Sequence, residues 1–183
     1  IAFIINNYWS GASSIKTLRK EIEERIQSQE KDFLKLTLDT VTINMLVSEQ
    51  YDEAMLHDYI NKPYSVFIYQ KDDLEGWHLK SWNNQYNLPN NDLLYSIEKN
   101  RFIKISNGEY EVVRRIVEIT PSNTLLAVAL IPVRKEYFIE IPNLKREFAG
   151  FPQAERAVAI SNYTTDYPVV SSFGNTLFYL QSK

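Results

Sequence analysis

Cysteine is missing from this chain of 183 residues, histidine occurs twice and glycine five times, and each scarcity removes a kind of chemistry. Without cysteine there are no disulfides, no thiolate metal sites and no thiol nucleophile. The absence leaves the compartment open, since it suits a cytosol and an oxidising periplasm equally. His57 and His78 are far apart in sequence and lack metal-ligand spacing, so no metal site is expected. The scattered glycines cannot form a phosphate-cradling loop, and there is no Gly-x-Ser-x-Gly elbow. Asp72, Asp73 and Glu75 gather before Gly76 and read as solvated turn carboxylates, with a catalytic pair as the rival reading. The formal net charge is −3 and no segment is strongly basic, so nucleic acid is not an expected partner. No enzyme activity and no cofactor is expected from these residues.

Long hydrophobic runs are also missing. The chain opens on five apolar residues, Ile1 to Ile5, where a membrane span needs about 20. Tyr8 and Trp9 follow, aromatic residues of the kind that gather at a membrane interface. The segment reads either as the last turn of a spanning helix or as an ordinary apolar terminus.

What is present is a globular balance, with 44% hydrophobic and 23% charged residues. A chain of this length buries roughly two-thirds of its unfolded surface. Between Ala12 and Lys62 there is neither glycine nor proline, which marks helical territory. Ser13 or Ser14 is the expected N-cap. Apolar residues Ile15, Leu18, Ile22, Ile26, Phe33, Leu36, Ile43 and Val47 follow at mostly helical spacings. Residues 14–48 are expected to be largely one helix, about 50 Å long at 1.5 Å per residue. Its seam of Ile15, Leu18, Ile22 and Ile26 should pack on a copy of itself or on the domain. A second helix is expected at about 51–60, ended by Pro63.

Strand signals dominate afterwards. Tyr64–Tyr69 and Trp77–Trp82 are β-branched and aromatic, and Asp92 is placed to cap a short helix to Glu98. Phe102–Ser106 and Glu109–Val117 flank Asn107-Gly108, the preferred pair for a type I′ hairpin turn. Thr124–Ile131 is apolar on both faces and reads as a central strand stopped by Pro132. Glu136–Phe148 reads as a helix broken at Pro142, and Val169–Leu180 as a closing hairpin. The sum is a single α+β domain: a long helix and then an antiparallel sheet of at least five strands with small flanking helices.

On the strand Glu109–Val117, one face carries Tyr110, Val112, Arg114 and Ile116. An arginine among apolar neighbours is costly unless it is paired with a carboxylate or a ligand anion. It snorkels to the edge, pairs within the protein, or binds a ligand. Trp82 and Tyr137 stand at neighbouring strand ends. Trp82, Tyr110, Arg114 and Tyr137 are therefore the candidate lining of a small-molecule site, with completion of the core as the rival role for the aromatic residues.

One segment carries a resemblance. Leu130-Ile131-Pro132-Val133-Arg134-Lys135-Glu136-Tyr137-Phe138, with Pro142-Asn143-Leu144 and Phe148 after it, resembles a stretch found in the extracytoplasmic sensor regions of bacterial membrane-bound histidine kinases, some of them hybrid kinases. Asn107-Gly108-x-Tyr110 and Gly174-Asn175-x-Leu177-Phe178-Tyr179 add to the likeness, which covers roughly residues 60–183. Ile141 departs from the pattern, which has Asn there. The resemblance implies a PAS-like sensor of the Cache (PDC) class. It implies a membrane-proximal segment at 1–12, a helical stalk at 13–62 and a sensor core at 63–183. It also implies flanking transmembrane helices, a place on the periplasmic side of the inner membrane and a small-molecule ligand. The motif is one of packing and names no ligand. A homodimer through the N-terminal helix would fit such a receptor. The alternative is a secreted or periplasmic interaction domain with no kinase attached.

Overall fold

The computed structural model describes residues 2–72, 76–84, 88–121, 123–136 and 146–183, and for residues 2–13 the backbone alone. The fold is α+β. Helix α1 (Ala2–Leu38) is followed by α2 (Thr40–Val47) and α3 (Glu53–Ile60), and then by strands with a short helix α4 (Asn91–Leu94) among them. Strands β1 (Ser65–Asp72), β2 (Gly76–Trp82), β3 (Asn100–Ile105), β4 (Gly108–Thr120), β5 (Asn123–Lys135) and β6 (Glu147–Phe148) form a six-stranded sheet. Its order is β2-β1-β5-β4-β3, with β6 paired to β5, and β1–β2, β1–β5 and β5–β6 are antiparallel. This arrangement is compatible with the expected PAS-like fold. A second, three-stranded antiparallel sheet has the order β7-β9-β8, from β7 (Val158–Ser161), β8 (Pro168–Val170) and β9 (Thr176–Ser182).

The long helix starts earlier than expected. Ser13 and Ser14 lie inside α1, more than two turns past its start. Gly11 is a weak breaker, costing about 1 kcal/mol against Ala, and no proline interrupts the run. The helix also breaks once. Asp39 leaves helical geometry at ψ 80°, and its carboxylate accepts from the Thr42 amide at 3.0 Å and the Thr42 hydroxyl at 2.8 Å. It is the N-cap of α2, so residues 14–48 are two helices and not one. Asp52 caps α3 in the same way, through the Met55 amide at 2.8 Å. Asn90, and not Asp92, caps α4, which ends at Leu94.

Two strand expectations are corrected. Pro132 does not stop β5. Strand β1 pairs with β5 only as far as Leu130, and β6 takes up the pairing at Arg134. Pro132 sits in the gap between those two pairings, and its carbonyl accepts from Arg25. The hairpin β3–β4 forms, but its turn is Ser106-Asn107, and Gly108 already belongs to β4. Glu49 is the one non-glycine residue with positive φ among the described residues, so Asn107 does not adopt the type I′ geometry. Tertiary contacts decide the matter: the Asn107 carbonyl accepts from the Glu136 amide at 3.0 Å and its side chain accepts from the Tyr110 hydroxyl at 3.1 Å. Gly108, at φ 154°, lies where a Cβ would strike the Arg134 carbonyl. Of the expected broken helix, the end is strand β6, and residues 137–145 lie outside the described residues. The tip of the β1–β2 turn, Asp73 to Glu75, lies outside them too.

The chain divides into two compact units. One comprises residues 1–28, 102–110 and 132–183. Here the seam of α1 is covered within the chain, with Ile15, Ile22 and Ile26 buried and Leu18 partly so. Polar bonds fix the helix beside the seam. Arg19 donates to the Pro168 carbonyl at 3.1 Å, Gln27 to the Val170 carbonyl at 2.8 Å, and the Val170 amide to Glu23 at 2.8 Å. Arg25 donates to the Pro132 carbonyl at 2.8 Å. Arg134 grips Glu109 with two hydrogen bonds, at 2.6 and 3.0 Å, both side chains being nearly sealed from solvent.

The other unit comprises residues 29–101 and 111–131. Its core is the apolar run Leu125–Leu130 with Val66, Phe67 and Ile68 of β1, all at most 1% exposed. Phe33 packs edge-on against Tyr64. The Tyr64 hydroxyl donates to Asp32 at 2.5 Å, and Lys62 donates to the same carboxylate at 2.9 Å. Asn83 clasps the start of β1: it accepts from the Val66 amide at 2.7 Å and donates to the Tyr59 and Tyr64 carbonyls.

Candidate functional site

Of the four residues expected to line one pocket, Trp82, Tyr110 and Arg114 are among the described residues. Tyr110 belongs to the first unit, is 8% exposed, and spends its hydroxyl on Asn107. Tyr137 lies outside the described residues. Trp82 and Arg114 belong to the second unit and line two different concavities there.

Arg114 sits midway along β4, half-buried. Its guanidinium donates to the carbonyls of Leu94 and Ser96 and reaches that of Glu98, while its amide donates to the Lys99 carbonyl at 2.7 Å. The side chain therefore pins the segment that joins α4 to β3. Among the described residues it meets no carboxylate. Burial first, and the neighbouring Arg101 charge second, hold its pKa below the ordinary arginine value. Beside it runs a groove of about 470 Å³, lined by Ser96, Ile97, Lys99, Arg115 and Ile116 over a floor that includes Leu126. Lys99 and Arg115 make no ion pair and no side-chain hydrogen bond among the described residues. Three cations thus converge on an apolar floor in a chain whose net charge is negative. Ile97 is 98% exposed, and Tyr95 and Ile116 are more than half exposed. Such a surface suits an anion with an apolar body.

Trp82 ends β2 and is 42% exposed. It forms one wall of a cleft of about 180 Å³ between β2 and the helices α2 and α3. Tyr51 and Leu56 form other walls, and Glu49 and Lys80 stand on the rim. At the floor the Ser81 hydroxyl donates to the Tyr59 hydroxyl at 3.3 Å, and that hydroxyl donates to the Val66 carbonyl at 3.4 Å. Burial pushes the Tyr59 hydroxyl well above the ordinary tyrosine pKa, so it stays a neutral donor.

The spacing of residues in β4 announced Arg114, because charge among strand residues is conspicuous. Lys99 and Glu49 gave no such signal, since they lie at element ends where charged residues are ordinary, and Lys80 is an exposed residue within β2. Among the described residues, no group of His, Asp or Glu could hold a metal ion, and no helix is long and apolar enough to cross a membrane.

The architecture defines an α+β domain of PAS-compatible type, with the concavities beside Trp82 and Arg114 both on its second unit. No protein-family model, curated protein or solved structure matches the chain.

Proposed function

We propose that this chain is the extracytoplasmic sensing domain of a bacterial membrane-bound histidine kinase, and that the groove beside Arg114 receives a small organic anion. The observation that carries the reading is the set of three cations without carboxylate partners among the described residues, over an apolar floor, on a PAS-compatible sheet that a 37-residue helix precedes. Clustered positive charges repel one another in the free protein and attract an anionic ligand. The likeness of Leu130–Phe138 to sensor regions supports the same reading. In it, flanking transmembrane helices carry the signal to the kinase, and the domain faces the periplasm. A homodimer through α1 would use faces of the helix other than Ile15, Ile22 and Ile26, since those are covered within the chain. Ligand binding needs only to favour one arrangement of the paired helices over another.

A second reading, an interaction domain without kinase linkage, is favoured by the exposed Tyr95, Ile97 and Ile116.

The test has two parts. Calorimetric titration with benzoate and octanoate should show saturable binding that K99A/R115A weakens at least about tenfold, the equivalent of 1.4 kcal/mol. The full-length gene product in lipid vesicles should autophosphorylate on histidine at a rate that the bound anion changes. A full-length product without kinase activity would overturn the receptor reading. Equal anion affinity in wild type and K99A/R115A would overturn the groove.

A further inference from the structure

Helix α2 ends in an unusual way. Ser48 is its C-cap, and Glu49 follows in the left-handed region at φ 57°. The Gln50 amide bonds back to the Met45 carbonyl at 2.9 Å, closing the turn of a Schellman motif. Glycine is the residue that occupies this position without steric cost, and glutamate is not. The carboxylate does not compensate through a contact of its own, since Glu49 has no ion pair and no side-chain hydrogen bond among the described residues. It stands on the rim of the Trp82 cleft.

Lys80 stands on the same rim and is equally uncommitted. Opposite charges that share one small cleft yet do not pair with each other leave room for a molecule that answers both. Between them lie Trp82, Tyr51 and Leu56, apolar and aromatic surface suited to a hydrocarbon body and, at the rings, to an ammonium group. The volume of about 180 Å³ equals roughly six waters at about 30 Å³ each, too small for a drug-sized ligand and right for a small metabolite.

We infer that the cleft between α2, α3 and β2 is a binding site for a small zwitterion of the amino-acid type, with Glu49 taking its ammonium group and Lys80 its carboxylate. The site is separate from the groove at Arg114 and does not depend on it. Glu49 keeps its left-handed backbone because its charge is used by the ligand.

L-valine tests this against two truncated relatives, isobutylamine without the carboxylate and isovalerate without the amine. Calorimetry on the whole chain carrying K99A/R115A, which removes the anion groove, should give saturable binding of valine and at least about tenfold weaker binding of either relative, since each leaves one charged group unanswered. Glu49→Gly should raise Tm by about 2 °C while weakening valine binding tenfold or more. Glu49→Gln, which keeps size and backbone cost, should weaken binding with Tm unchanged. The inference is overturned if valine fails to saturate, if isobutylamine or isovalerate binds as tightly as valine, or if Glu49→Gly retains full affinity.

Discussion

Arg134 and Glu109 form the most deeply buried ion pair described, joined by two hydrogen bonds and set with Arg134 6.0 Å from the centre of the Phe148 ring. Glu155 lies 3.9 Å from the same guanidinium, and Lys183 binds Glu155 at 2.8 Å. Burying one of these charges without its partner is expensive, whereas replacing both with apolar side chains is often tolerated. Glu109→Ala is expected to destabilise the chain by about 3–5 kcal/mol, and the double variant E109L/R134M by far less. Urea denaturation of the two variants checks this, and equal losses would show that the pair is not coupled.

At the level of helices and strands, caps set the boundaries that periodicity blurred. The apolar spacing from Ile15 to Val47 runs on without interruption, so the expected single helix followed from the pattern. One aspartate changed it. Asp39 is the better partner for the first free amides of α2 than for a continuous helix, and hydrogen bonds from Thr42 hold its carboxyl below the ordinary aspartate pKa. Asp39→Ala should cost about 1 kcal/mol. Thermal denaturation of that variant measures the cost. An unchanged Tm would mean that the break between α1 and α2 is imposed by packing alone.

For the whole molecule, the clearest pH response comes from Asp32. Burial works to raise its pKa, but the hydrogen bonds from Tyr64 and Lys62 outweigh it and hold the carboxyl below its ordinary value. A carboxylate depressed in the folded state contributes stability above its unfolded pKa of about 3.9, and that contribution is lost as pH falls through the lower folded value. The partner behaves consistently: burial and the Asp32 bond push the Tyr64 hydroxyl far above the ordinary tyrosine range, so it remains a donor at neutral pH. Asp32→Asn should lower Tm at pH 7, and its gap from wild type should close as pH falls below about 4. A gap that stays constant from pH 7 to pH 2 would exclude Asp32 as the source.

Periodicity, glycine and proline placement and strand composition were enough to read an α+β chain with helices first and antiparallel strands after, because those signals are local and each strand carries its own. Asn107-Gly108 marked a hairpin correctly and its turn type wrongly, since the contacts of Asn107 with Glu136 and Tyr110 join residues that the turn does not contain. Pro132 looked like a stop because the gap in pairing between Leu130 and Arg134 depends on where two other strands end. Arg114 was legible as a charge in need of a partner, but its partners are backbone carbonyls 16 to 20 residues earlier in the chain. Which charges remain unpaired, and which share a cleft, depends on distances between remote segments. Glu49 and Lys80 stand 31 positions apart in the sequence and meet at one rim only because α2, α3 and β2 fold around the same space.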